Sequence, residues 1–205
     1  RVIAVDYRLA PEHPYPAAVD DAVAAYRDVV ARADELGVRR DRLGVTGDSA
    51  GGNLSAVVAL AVRADPHPPA LQALLYPATD LTCACPSHQR LADAFILNAR
   101  AIRWYRGHYL GPEPSAARLR EPMLSPLHAP DLAGVAPAYV LTAGFDPLRD
   151  EGDAYADRLR AAGVEVEVHD EPALVHGFLL LTGVSPACAV ATDAICARVG
   201  ARLRG

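Results

Sequence analysis

Apolar positions in this chain recur with two periods, and the switches between them mark the elements. Val2, Ile3, Ala4 and Val5 form a short apolar run that predicts a strand over residues 1–6. A helical period follows over 16–36 and is closed by Gly37; Pro16 suits an early helical position, and Asp20 and Asp21 complement the positive end of the helix dipole. A strand is predicted over 41–46, a helix over 54–64, and a buried strand over 71–76, stopped by Pro77. The rhythm resumes with a buried strand over 139–143, a helix over 153–162 stopped by Gly163, and an alternating strand over 164–168. A helix over 184–203 closes the chain. Strands and helices that alternate in this way predict an α/β fold, with a parallel sheet joined by right-handed crossovers.

One stretch breaks the alternation. Residues 81–130 are long and proline-punctuated, with one amphipathic patch over 99–109 that carries Trp104 and Tyr105. They are expected to be an insertion in an otherwise single α/β domain of 205 residues. The net charge of −5 argues against nucleic acid as a partner, and no apolar run is long enough for a membrane span. Four cysteines, two of them in the lone pair Cys83 and Cys85, make neither a disulfide framework nor a zinc motif. Free, mostly buried thiols are expected, which favours a cytoplasmic protein. No cofactor or metal is implied, and the sequence leaves a homo-oligomer open.

The chemistry starts at Gly47-Asp48-Ser49-Ala50-Gly51-Gly52-Asn53, set between a strand and a helix. In that context G-x-S-x-G reads as a nucleophile elbow, a turn so tight that the serine hydroxyl stands above the sheet edge. Gly47 and Gly51 are expected to lack a Cβ for steric reasons. A nucleophilic serine needs a base and an orienting acid, in the order Ser, Asp/Glu, His. Asp146 follows a buried strand and is preferred over Asp150 and Glu151, which read as first-turn helix residues. His176, followed by Gly177 and Phe178 in the loop after the last strand, is preferred over His13, His67, His88, His108, His128 and His169. Arg8 and Glu12 are expected to form a structural ion pair or turn bond.

These residues resemble a family. Residues 6–18 (DYRLAPEHPYPAA), 47–53, 146–152 (DPLRDEG) and 176–178 (HGF) are similar to the bacterial hormone-sensitive-lipase-like carboxylesterases of the α/β-hydrolase superfamily. The resemblance implies hydrolysis of short acyl esters as small-molecule substrates, with Ser49, Asp146 and His176 as triad. It implies Ala50 as one oxyanion-hole donor and residues 81–130 as a cap over the acyl pocket. Amide or peptide hydrolysis on the same triad, or a non-catalytic ligand-binding relative, are the alternatives. The family's H-G-G-G loop has no match here, and the chain starts at Arg1. An N-terminally incomplete chain is therefore expected. A gap is expected between the 1–6 and 41–46 strands, or else their direct pairing.

Overall fold

A computed structural model describes residues 1–204. Its strands are β1 (Gly44–Asp48), β2 (Leu71–Leu75), β3 (Ala138–Phe145) and β4 (Val166–Val175). Its helices are α1 (Ala17–Ala31), α2 (Ala33–Leu36), α3 (Ala50–Ala61), α4 (Pro86–Arg90), α5 (Ala99–Leu110), α6 (Arg149–Ala161) and α7 (Pro186–Arg204). The sheet runs in the order β1-β2-β3-β4, and every neighbouring pair is parallel. Parallel neighbours need crossovers, which α3 supplies between β1 and β2 and α6 between β3 and β4.

The central strands are covered on both faces, which is why they read as continuous apolar runs. Leu74, Ala138 and Val140 pack on one side with Ala56, Ala59 and Leu60 of α3 and Tyr155, Ala156 and Leu159 of α6. Leu71, Ala73, Tyr139, Leu141 and Ala143 pack on the other with Phe178 and with Cys188, Ala191 and Ile195 of α7. Alternate residues of one strand thus serve opposite layers. The C-terminal ends of all four strands fall on one edge, and functional groups collect at that edge in open α/β sheets.

Several expectations change. Residues 1–6 form no strand: Val2 is 88% exposed, and β1 takes only β2 as a strand partner among the described residues. An apolar run becomes a strand only when a neighbour satisfies its backbone groups, and this one has no such ladder. The 16–36 helix is two helices, broken at Arg32 (φ −96°, ψ 18°), and the break brings Ala33 to full burial. Gly37 closes the second helix with φ +63°. Arg8 pairs with Asp21 at 2.7 Å rather than with Glu12. Residues 8–12 are not helical, so an i,i+4 spacing brings no faces together there. The cysteines are free, but only Cys188 is buried; Cys83 and Cys85 are half-buried and Cys196 is exposed.

Candidate active site

β1 ends at Asp48, α3 begins at Ala50, and Ser49 alone makes the turn between them. Its φ of +55° with ψ −115° lies outside the regions L-residues favour, a strain of about 1–3 kcal/mol that the surroundings must impose. They do so through the backbone. The Ser49 N–H donates to the Leu75 carbonyl at 2.9 Å, and the Ser49 carbonyl accepts from Asn53 N at 3.0 Å and Ala78 N at 3.2 Å. Buried Asn53 donates from Nδ2 to the carbonyls of Ala78 (2.6 Å) and Leu124 (2.9 Å), tying the elbow helix to two loops.

The glycines divide differently from expectation. A Cβ on Gly47 would overlap the Gly51 backbone, so Gly47 is required. A Cβ on Gly51 would meet nothing within 4 Å. Gly52 is the second tight position, where a Cβ would lie 2.9 Å from Pro77 Cβ. Gly51 supplies the backbone against which Gly47 packs; its own missing side chain would point into open space.

The other two groups come from the ends of β3 and β4. Asp146 is fully buried directly after β3, and its Oδ1 accepts the Leu148 N–H at 2.8 Å. Its Oδ2 lies 2.6 Å from His176 Nδ1, and His176 Nε2 lies 2.9 Å from Ser49 Oγ. A carboxylate can only accept, so Nδ1 carries the proton and Nε2 is left free to accept from the serine hydroxyl. Two features fix this alignment that the motifs did not announce. Gly144 sits where the pairing of β3 with β4 shifts register, and a Cβ there would overlap the Pro172 backbone. Tyr76, 1% exposed with φ +37°, sets its ring edge-on to His176 (centroids 4.8 Å apart) and to Phe178 (5.6 Å). A lone aromatic after a buried strand gives no sequence signal for such a role. The Gly51-Gly52 doublet was a signal for the second tight glycine.

Ser49, His176 and Asp146 are thus drawn from three strand ends to one edge, with Ala50, the first residue of α3, beside them. The first amides of a helix have no intrahelical acceptor. A model of the alpha/beta hydrolase fold matches residues 1–180. The chain belongs to that family. Within it, the chain falls among the hormone-sensitive-lipase-like carboxylesterases. It is 47% identical over 197 residues to esterase LipI of Mycobacterium tuberculosis H37Rv, covering 94% of this chain and 60% of that one. It is 41% identical over 185 residues to the ethyl acetate hydrolase of Pseudomonas putida, covering 89% and 57%. The thermostable carboxylesterase EstE1, cloned from a metagenomic library, superposes with a TM-score of 0.89 at 40% identity, covering 97% of this chain and 67% of that one. The chain therefore spans about 60% of the length of the curated relatives it matches.

The competing acids are occupied elsewhere. Asp150 accepts the Ser87 N–H at 2.8 Å and faces Arg90. Glu151, fully buried, accepts from Thr79 N (2.7 Å) and Asp80 N (3.1 Å) on one oxygen and meets His88 Nε2 at 2.5 Å on the other. Burial pushes its carboxyl up to about 7, against the pull of His88 and the backbone donors. Burial opposes a charge on His88, yet its hydrogen bonds to Cys83 and Glu151 outweigh that and raise it to about 10. Among the other histidines, His128 faces Asp80 at 2.9 Å and His169 faces Glu171 at 2.8 Å. Asp48, next to Ser49, is 3.4 Å from the Tyr76 hydroxyl. Among the described residues no cluster of His, Cys, Asp or Glu could hold a metal, and no helix is long and apolar enough to cross a membrane.

Proposed function

We propose that the protein is a serine carboxylesterase acting on small, short-chain esters, with Ser49, His176 and Asp146 as its triad. The observation that carries the reading is the unbroken chain of contacts from Asp146 Oδ2 through both imidazole nitrogens to Ser49 Oγ. His176 Nε2 takes the hydroxyl proton as Oγ attacks the ester carbonyl, and Asp146 steadies the imidazolium that forms. The Ala50 N–H, at the positive end of α3, faces the oxyanion. His176 then returns the proton to the departing alcohol, and water attacks the acyl-enzyme by the same route.

Residues 81–130, with α5 and its exposed Trp104 and Tyr105, act as a cap over the acyl group. The likeness to an esterase and to an ethyl acetate hydrolase supports a small ester as substrate. Four free thiols suit the cytoplasm. The test is covalent: a fluorophosphonate probe labels Ser49, and Ser49→Ala loses both labelling and hydrolysis of p-nitrophenyl acetate. Labelling that persists in Ser49→Ala overturns the assignment.

A further inference from the structure

The start of α6 is held from outside the helix. Its N-cap residue, Leu148, gives no side-chain hydrogen bond to the first turn, whose amides have no intrahelical acceptor. An acceptor comes from 63 positions away. Ser87, fully buried in α4, accepts the Asp150 N–H on Oγ at 3.2 Å and donates the same hydroxyl to the Pro147 carbonyl at 2.6 Å. Its own N–H donates to Asp150 Oδ2 at 2.8 Å. A hydroxyl has one proton to give and two lone pairs to offer, so both of its bonds form at once.

The peptide between Pro147 and Leu148 is gripped at both ends. Its carbonyl takes the Ser87 hydroxyl, and its N–H donates to Asp146 Oδ1 at 2.8 Å. The Asp146 carbonyl accepts from Arg149 N at 3.1 Å and closes the same turn. One carboxylate oxygen is therefore oriented by a peptide that Ser87 holds, and the other is left to face His176 Nδ1 at 2.6 Å. We propose that Ser87 is a positioning residue of the triad: through that peptide it sets the plane of the Asp146 carboxylate, and so the aim of Oδ2 at His176. The proposal rests on the triad reading above. It extends the line of hydrogen bonds from Ser49 through His176 and Asp146 back to α4, in the 81–130 segment.

The neighbouring contacts do not serve this purpose. Glu151 braces the same helix, but its bonds run to Thr79, Asp80 and His88 and do not reach the 147–148 peptide. Arg90 meets Asp150 with half of its side chain in water, where an ion pair adds little. Ser87 is enclosed and touches no group that reacts, so its effect falls on the barrier rather than on the binding of the ester. His176 works in acylation and deacylation alike, and a misdirected Asp146 slows both.

The test separates positioning from stability. Ser87→Ala, assayed well below its Tm, lowers kcat for p-nitrophenyl acetate by about 10- to 100-fold and changes KM by less than about twofold. Gln72→Ala breaks another buried bond, from Nε2 to the Ala136 carbonyl at 2.8 Å, at the opposite edge of the sheet. It lowers Tm and leaves kcat unchanged. An unaltered kcat in folded Ser87→Ala, or an equal loss of kcat in both variants, overturns the proposal. In the Asp146→Asn background Ser87→Ala costs less than about a further twofold, because its route is already cut; a loss repeated in full overturns it too. Should Ser87→Ala not fold, Ser87→Cys keeps the volume with a weaker donor and lowers kcat by at least about threefold, and an unchanged kcat there refutes the proposal. Fluorophosphonate labelling of Ser49 in the unmutated protein tests the underlying reading by itself. A labelled protein indifferent to Ser87→Ala refutes the positioning role alone, whereas an unlabelled one refutes the triad and this role with it.

Discussion

Two buried histidine–carboxylate pairs occupy this chain, and their likeness is close. In each, a carboxylate less than 2% exposed meets an imidazole, at 2.6 Å for Asp146–His176 and 2.5 Å for Glu151–His88. Only the first pair meets a hydroxyl, with His176 Nε2 2.9 Å from Ser49 Oγ. The settings differ. Ser49 opens a twelve-residue helix whose first amides lie beside it, and its histidine and acid stand on the loops after β4 and β3. His88 lies in the segment leaving β2, and Glu151 is engaged in holding the backbone of Thr79 and Asp80. A base and an acid make a nucleophile reactive; only amides aimed at a developing oxyanion make it an acyl-transfer centre.

The largest expected effect separates the two acids. Asp146→Asn lowers kcat for p-nitrophenyl acetate by about 10⁴, because the wrong tautomer then faces Ser49. Glu151→Gln costs stability instead, lowering kcat by less than about tenfold while disturbing a buried hydrogen-bond network. Steady-state kinetics with thermal melts on both variants decide it, and a folded Glu151→Gln enzyme as impaired as Asp146→Asn would reverse the roles assigned here. The elbow itself gives an intermediate effect. Gly47→Ala destabilises by about 1–3 kcal/mol through overlap with the Gly51 backbone. Gly51→Ala, helical and unobstructed, is neutral or stabilising by up to about 1 kcal/mol. Urea denaturation ranks them, and equal losses in the two variants would discard the distinction.

The smallest effect is a pH dependence peculiar to the second pair. His88 is raised from its ordinary 6.5 to about 10, so its contribution is complete below 6.5 and fades as pH climbs to 10. Glu151 is raised from 4.5 to about 7, so burying it is easiest below 4.5 and grows costlier as pH climbs from 4.5 to 7. Both groups make the folded chain hold more protons than the unfolded one, and stability from this pair falls as pH rises. The Tm advantage of the unmutated protein over the His88→Gln/Glu151→Gln variant therefore shrinks between pH 5 and 9. An advantage that grows over that range contradicts the ionisations described.

What the sequence made legible was whatever is decided locally. The elbow is a contiguous motif, and 71–76 and 139–143 advertise burial on both faces through unbroken apolar runs. Asp146 and His176 follow from their places after strands. Misreadings arise where a distant partner decides. Residues 1–6 have the composition of a strand but no ladder, and Arg8 finds Asp21, thirteen residues away. The alternation predicts a strand ending at 168, but β4 continues to Val175 through Pro172, which the shift in register near Phe145 accommodates. The Glu151–His88 contact spans 63 positions and carries no local signature at all. Gly51 was credited with a constraint that belongs to Gly52, because only the packing of Pro77 reveals which glycine faces a wall.

Gly144 carries no functional group, yet its contact with the Pro172 backbone governs where the chain may place the two residues after it. In a saturation library selected for new substrates, position 144 would behave as a catalytic one does, with every replacement counter-selected. Its failures would trace to misplaced neighbours rather than to missing chemistry. An engineer who treats tolerance to substitution as a map of the substrate pocket would draw that pocket too large. Under the proposed cap, diversity aimed at altered selectivity belongs on exposed α5 side chains such as Trp104 and Tyr105 rather than on Ser87, which bonds the Pro147 carbonyl beside Asp146.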